Sequence, residues 1–321
     1  MRICVLTDEN PADFNPAPFL GGFDWEMVTL TDPLKAKVSE LKARGEFDLF
    51  LNLCEGFEPG EEYEYQGIDV VRTLEELNMP FTGAPSRFFD PTREEMQSLA
   101  DAHGIGFAKG YRVGSVGEAE ELAGNLRYPI MVKHPKSYGS TGMFKDSKAT
   151  TPDQLRVQVA RVCGEFGAAR MEEFIEGKEY NVLVVDNPDD LEHPIGYPPA
   201  ELIFPPGEEF WHTDIKWDYE VPFDFKEVTE PGLLGRLHDI AIRMFKTMGG
   251  LTYGRCDIRM NAQGELFILE INPNPAIMLQ PKEYGPADYM ILYDSGGYKL
   301  FFDRIFTAAL MRHQARQSTE G

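Results

Sequence analysis

Cysteine is scarce in this chain of 321 residues, which has Cys4, Cys54, Cys163 and Cys256 and no C-x-x-C spacing among them. That pattern argues against a disulfide frame or a cysteine zinc site and reads as reduced, packed thiols. Long apolar runs are missing too, so no membrane span is expected. The opening "RICVLT" lacks the charged and apolar regions of a secretory signal. With the cysteines, it argues for a cytoplasmic protein. Positive charge is in short supply: 31 Lys and Arg stand against 53 Asp and Glu, a net charge of −22. Such a surface repels a phosphate backbone, so nucleic acid and anionic membranes are excluded as partners. An anionic ligand must be met by a local cluster of cations. The histidines His103, His134, His193, His212, His238 and His313 show no metal spacing.

What is present is a chain with 42% hydrophobic residues, enough for about two or three packed units. Residues 1–90 alternate short apolar strands ("RICVL", "WEMVTL", "FDLFLNLC", "MPFTG") with the helix "GIDVVRTLEELN". This alternation predicts a small doubly wound α/β unit. From residue 91 the texture changes. "PTREEMQSLADAHGI" reads as a helix, "SVGEAEELAGNL" as a helix with a Ser115…Glu118 box, and "TPDQLRVQVARVCGEF" as one capped by Thr151 and Gln154. "ARMEEFIEGKEYNVLVVD" predicts a hairpin around Gly177, and "PGLLGRLHDIAIRMFKTMGG" an amphipathic helix. Residues 186–232 between them are Pro-rich and aromatic, without regular periodicity.

"YGRCDIRMNAQGELFILEIN" reads as two strands around Asn261-Ala262-Gln263-Gly264. A four-residue loop would set Met260 opposite Glu265, Asp257 opposite Ile268 and Arg255 opposite Glu270. Alternation then gathers Arg255, Asp257, Glu270 and Asn272 on one face. Cys256, Ile258, Met260, Phe267, Leu269 and Ile271 fall on the other, the core side. Oxygen donors on a rigid hairpin suit Mg²⁺, with Glu270 bridging two ions and Asp257 and Asn272 holding one each. The bland alternative is a solvated face with an Arg255–Glu270 ion pair.

Lys133 lies in the otherwise apolar strand "YPIMVKH", either snorkelling or aimed at an anion. "GSTGM" follows, Gly139 to Met143, small enough for backbone N–H groups to close over phosphate oxygens, though it is no Walker loop. "MEEFIEGKEY" supplies Glu172, Glu173, the connector Phe174-Ile175, and Glu179. Acceptors and backbone groups there suit an adenine edge and ribose hydroxyls; an acidic surface turn is the plain alternative for Glu173 and Glu176.

"VKHPKSYGSTGM", "MEEFIEGKEY" and "GRCDIRMNAQGELFILEINPNP", in this order, resemble the ATP-grasp carboxylate–amine ligases, nearest the D-alanine–D-alanine ligase-like branch. "NLCEGFEPGEEYEYQGIDVVRTLEELNMPFTGAPS" extends the likeness into the N-terminal region. The resemblance implies an α/β, ATP-grasp architecture: an N-terminal domain at 1–90, a central subdomain at 91–177, and a C-terminal subdomain at 178–321. It implies ATP and Mg²⁺, one or two ions, with Mn²⁺ as a substitute. Asp257, Glu270 and Asn272 match the metal ligands. Arg255 matches the arginine at the tetrahedral intermediate, and Lys133 the strand lysine on the phosphates. Glu172, Glu179, and the backbone of Glu173 and Ile175 match the adenine and ribose contacts. "FWHTDIKW" resembles the flexible loop whose lysine reaches the γ-phosphate, which gives that role to Lys216 and makes 205–225 a lid.

Departures from the family pattern cluster on the substrate side. "TREEM" puts Arg93 where the family has lysine. Gly139 stands at a serine position, leaving Ser140 as the loop hydroxyl beside Thr141. Ala276, two residues after Asn274, stands where a glycine would offer its N–H to substrate. "TDENPADFNPAP" and "MLQPKEYGP" replace the amino-acid-binding segments. The implied function is ATP-dependent amide formation between a carboxylate and an amine through an acyl phosphate. D-alanine–D-alanine ligase proper, a carboxylate kinase and a catalytically silent ATP-binding protein are the alternatives. A homodimer is a further implication of the resemblance.

Overall fold

The computed structural model describes residues 1–8, 14–54, 65–136, 140–216 and 224–320. Three sheets organise them. In the first, β1 (Arg2–Thr7) runs between β2 (Asp24–Thr29) and β3 (Leu49–Asn52), all parallel. Helices Leu34–Arg44 and Gly67–Glu76 cover one face, and the chain's last helix covers the other. Burial on both faces is why β1 and β3 read as apolar runs, whereas β2, at the edge, is only partly buried. "MPFTG" adds one parallel bridge, Phe50 to Phe81, rather than a strand.

The second sheet is antiparallel, in the order β4 (Gly110–Val113), β7 (Ala169–Glu173), β5 (Ile130–Lys133), β6 (Lys148–Ala149). Helices Val116–Ala123 and Pro152–Phe166 back it. Ser115 and Thr151 cap them by accepting from the Glu118 and Gln154 N–H groups, at 3.2 and 3.3 Å. The reciprocal arm of each expected box reaches one residue further back, to the Gly114 and Thr150 N–H groups. A complete box instead opens helix Arg93–Ala102, where Thr92 and Glu95 satisfy each other.

The third sheet contains β8 (Lys178–Val185), β9 (Ile195–Gly196), β10 (Ala200–Ile203), β11 (Asp224–Glu227), β12 (Tyr253–Met260) and β13 (Leu266–Asn272). Its path is β11-β10-β8-β12-β13, with β9 also on β8. Val182, Val184, Ile258 and Ile271 face helices Pro231–Thr247 and Arg93–Ala102. Leu183 and Val185 face the C-terminal helices Pro286–Tyr293 and Gly297–Glu320. Phe301, Phe302 and Ile305 of the last helix also cover Ile3 and Val5 of β1. Each fully buried side chain of this size stabilises by about 2–3 kcal/mol, so this wedge joins the first sheet to the third.

Several expectations change. The segment around Gly177 is no hairpin: β7 and β8 belong to different sheets, and residues 174–177 cross from one to the other. Gly177 has φ +139°, and a Cβ there would lie 2.0 Å from the Met260 carbonyl oxygen, so glycine is required. The 186–232 stretch contains β9, β10 and β11, short strands that its prolines and loops disguise. All four cysteines are free.

The hairpin register differs too. A bulge between Asp257 and Ile258 sets Asp257 opposite Glu270 and Arg255 opposite Asn272, while Met260 faces Leu266. One extra residue reverses the alternation along β13. Ile268 and Ile271 are therefore the buried pair, and Leu269 turns toward the cleft beside Glu270, with Phe267 only partly buried.

Candidate active site

A cleft of about 840 Å³, counting its open mouth, lies between the second and third sheets. Met131, Lys133 and Glu172 line it from the second sheet; Glu179, Asp257, Arg259, Leu269 and Glu270 line it from the third. The connector's Phe174 and Ile175, the loop residues Ser140 and Thr141, and Arg93 complete most of the wall. Phe210 and Trp211 form its cover.

Strand alternation places these groups. On β8, Glu179 and Asn181 share the face that further along buries Leu183 and Val185. Arg255, Asp257 and Arg259 take every second position of β12. Asp257 accepts from Arg255 Nε at 2.7 Å, Asn181 Nδ2 at 2.7 Å and Asn272 Nδ2 at 3.3 Å. Glu270 is paired with Arg93, which the Thr92–Glu95 box holds at the start of its helix. A cation in a first turn opposes the helix dipole, so Arg93 is there for its anionic neighbours.

Lys133 Nζ lies 2.5 Å from Glu172 Oε1. Arg170, fully buried, holds the other oxygen of Glu172 at 3.0 Å and also donates to Glu94 and Gln97, both at 2.8 Å. Burial pushes the Glu172 carboxyl up, but Lys133, Arg170 and Arg93 outweigh it and hold it below the usual range. Burial lowers the Lys133 ammonium against the pull of Glu172. Glu179 goes the other way: burial raises its carboxyl despite the Arg259 guanidinium beside it.

The lid is docked. Thr213 donates through N to the Met143 carbonyl at 2.8 Å and through Oγ1 to the Ser140 carbonyl at 2.9 Å. Lys145 and Lys148 pair with Glu208 and Glu209 at 2.8 and 2.5 Å. Ser140 itself has φ +64°, a left-handed conformation uncommon for a residue with a side chain.

The expected site residues are therefore mostly brought together, with exceptions. Glu173 lines the cleft as expected, but its carboxylate takes two donors from the Arg127 side chain and its N–H meets the Lys109 carbonyl, which leaves its carbonyl for a backbone contact. Asn274 and Ala276 line a second cavity of about 390 Å³ with Thr7, Leu53 and Tyr253. Gly139, Trp217, the side chain of Lys216, and residues 9–13 and 55–64 lie outside the described residues. Lys216 ends the short helix Thr213–Lys216. Sequence reasoning missed Arg170 and Arg259. Arg170 shares its strand "ARMEE" with two glutamates and Arg259 shares "YGRCDIRM" with Arg255 and Asp257, so neither stands out among apolar neighbours as Lys133 does.

Among the described residues no group of three or more His, Cys, Asp or Glu is arranged to hold a metal. The hairpin offers two carboxylates and an amide. Those hard oxygen donors fit Mg²⁺ and leave room for phosphate and water ligands. Arg255 and Arg93 on the two carboxylates show that this spot already draws positive charge.

Residues 107–279 match the family model described as D-ala D-ala ligase C-terminus. The D-alanine–D-alanine ligase of Psychrobacter sp. (strain PRwf-1) is 26% identical over 259 residues, 78% of this chain and 70% of that one. The D-alanine–D-alanine ligase of Coxiella burnetii superposes with a TM-score of 0.70 at 15% identity, over 99% of this chain and 96% of that one. The Bacillus anthracis D-alanine–D-alanine ligase complexed with ATP gives 0.67 at 18%, over 98% and 99%. At these identities the structural likenesses establish the fold, which is ATP-grasp. Among the described residues no helix is long and apolar enough to cross a membrane.

Proposed function

Because this chain belongs to the D-ala D-ala ligase C-terminus family, it is an ATP-dependent, C–N bond-forming ligase of that type, and we propose that it joins two D-alanine-class amino acids. One observation carries the reading: the bulge that turns Asp257 and Glu270 into the same cleft as Lys133 and Arg93. The division into domains 1–90, 91–177 and 178–321 is part of the same proposal.

Asp257, Glu270 and Asn272 would hold Mg²⁺, which supplies charge neutralisation on the β- and γ-phosphates when bound. Lys133 and Arg93 add fixed positive charge where the chain as a whole is strongly negative. Glu179 and the Ile175 backbone take the ribose and base. The first substrate's carboxylate attacks the γ-phosphorus and releases ADP. The second substrate's amine then attacks the acyl-phosphate carbonyl, phosphate leaves, and the amine gives up its proton. Arg255 stabilises the oxyanion of that step. The docked lid excludes water, which would otherwise hydrolyse the acyl phosphate.

A broader amide-forming ligase is the second reading. The second cavity favours it, because Phe14, Leu53, Ile277 and Leu279 line it together with Thr7, Tyr253 and Asn274, a mixed lining not particular to a methyl side chain. ADP release with Mg²⁺-ATP and D-alanine, set beside an amino-acid pool with mass spectrometry of the products, tests both. Amine-dependent ADP release that Glu270→Gln removes is the expected result. Tight ATP binding without turnover on any amine would leave a silent binding protein instead.

A further inference from the structure

Arg259 has no task in the scheme above, yet it is 2% exposed and lines the cleft. It lies directly across from Glu179 in the β12–β8 register. Its Nε donates to Glu179 Oε2 at 2.9 Å and its Nη1 to the Ile175 carbonyl at 2.9 Å. Its Nη2 donates to the Glu209 carbonyl of the lid. The guanidinium also stacks over Phe174, 4.5 Å from the ring centre. One planar fork thus fixes the carboxylate read as the ribose ligand, the connector read as the base edge, and the lid.

Burying an arginine costs several kcal/mol unless its donors are met in good geometry. Here the geometry recruits three segments of the nucleotide site at once. We propose that Arg259 is a positioning residue for the nucleotide: it aims Glu179 at the ribose hydroxyls and ties the lid to the connector over the base. The proposal rests on the reading of Glu179 given above. A residue that only braced the fold would lower stability and leave the choice between nucleotides unchanged.

The test is calorimetric binding of Mg²⁺-ATP, Mg²⁺-2′-deoxy-ATP and Mg²⁺-3′-deoxy-ATP to wild type, Arg259→Met, Arg259→Lys and Glu179→Gln. Wild type should prefer ATP over both deoxy nucleotides. A charge-assisted hydrogen bond lost from this arrangement weakens ATP binding about ten- to a hundredfold in Arg259→Met. The preference should fall toward one in that variant, as it should in Glu179→Gln. Arg259→Lys keeps the charge without the fork and should lose the same preference. If Arg259→Met does not fold, the lysine variant decides. Arg259→Lys binding all three nucleotides as wild type does would overturn the proposal. So would a folded Arg259→Met that keeps the wild-type preference, or a wild type that binds no ATP. A wild type that binds ATP with the expected preference but releases no ADP with any amine removes the proposed function and leaves the role of Arg259 standing.

Discussion

Replacing Arg170 by methionine isolates the buried charge network behind Lys133. The guanidinium is 0% exposed and donates to Glu172, Glu94, Gln97 and the Ala108 carbonyl. Methionine fills much of the same space, so the change removes charge and donors more than volume. Removing one partner of a buried ion pair costs about 3–5 kcal/mol. The low end applies, because Glu172 keeps Lys133 at 2.5 Å and the Glu94 side chain is 38% exposed and can be hydrated. About 3 kcal/mol at roughly 2–4 °C per kcal/mol lowers the melting temperature by about 6–12 °C. The sign with pH follows from Glu172, whose carboxyl is held below its ordinary 4.5. Its contribution is present above that value and fades as the pH falls through the folded-state pKa. The gap between wild type and Arg170→Met should therefore narrow in acid. Urea midpoints and thermal melts at pH 7 and pH 4 measure both effects. A variant melting within about 1 °C of wild type at pH 7 would falsify the reasoning.

Gly177→Ala should cost at least about 3 kcal/mol, combining a disfavoured φ with overpacking against the Met260 carbonyl. Gly167→Ala, with φ +78° but open space around it, should cost only about 1 kcal/mol in the same melts, and equal losses would refute the steric argument. Asp288 is fully buried and accepts from the Met278 and Gly285 N–H groups and from Tyr298 Oη. Burial raises its carboxyl from 3.8 to about 6. A raised acid stabilises most below its unfolded value, and that stability is lost as pH rises through about 6, a change of about 3 kcal/mol. The stability of Asp288→Asn relative to wild type should improve by that amount between pH 3.5 and 7, by about 2.2 × 1.36 kcal/mol. Parallel curves would sink it.

Much of the architecture was legible because strand alternation and helix caps are local. Ser115 and Thr151 each mark the helix start that forms, and Lys133 announces itself by interrupting apolar neighbours. The bulge was not legible. Ile268 and Leu269 are equally apolar, and hydrophobicity alone cannot say which is the extra residue. Gly177 looks like a turn glycine in sequence; its actual constraint is a carbonyl from Met260, on a distant strand. Arg170 and Arg259 passed as ordinary cations because Glu94 and Glu179 are 76 and 80 positions away. Short strands such as β9 and β11 carry too few residues to show a period.

Helix Arg93–Ala102 acts as a crossbar. Its first turn grips Glu270 on the third sheet through Arg93 and Arg170 on the second through Glu94, while Met96 and Ala100 sit in the third sheet's core. The two walls of the cleft are therefore joined by a member that belongs to both. A fragment cut to the family-matched span, 107–279, would begin beyond this bar and bare the apolar underside of Ile258 and Ile268. The chain is thus divisible on paper at residue 91 or 107 but mechanically continuous there, and any attempt to graft its nucleotide half onto another substrate-binding half has to carry the crossbar along.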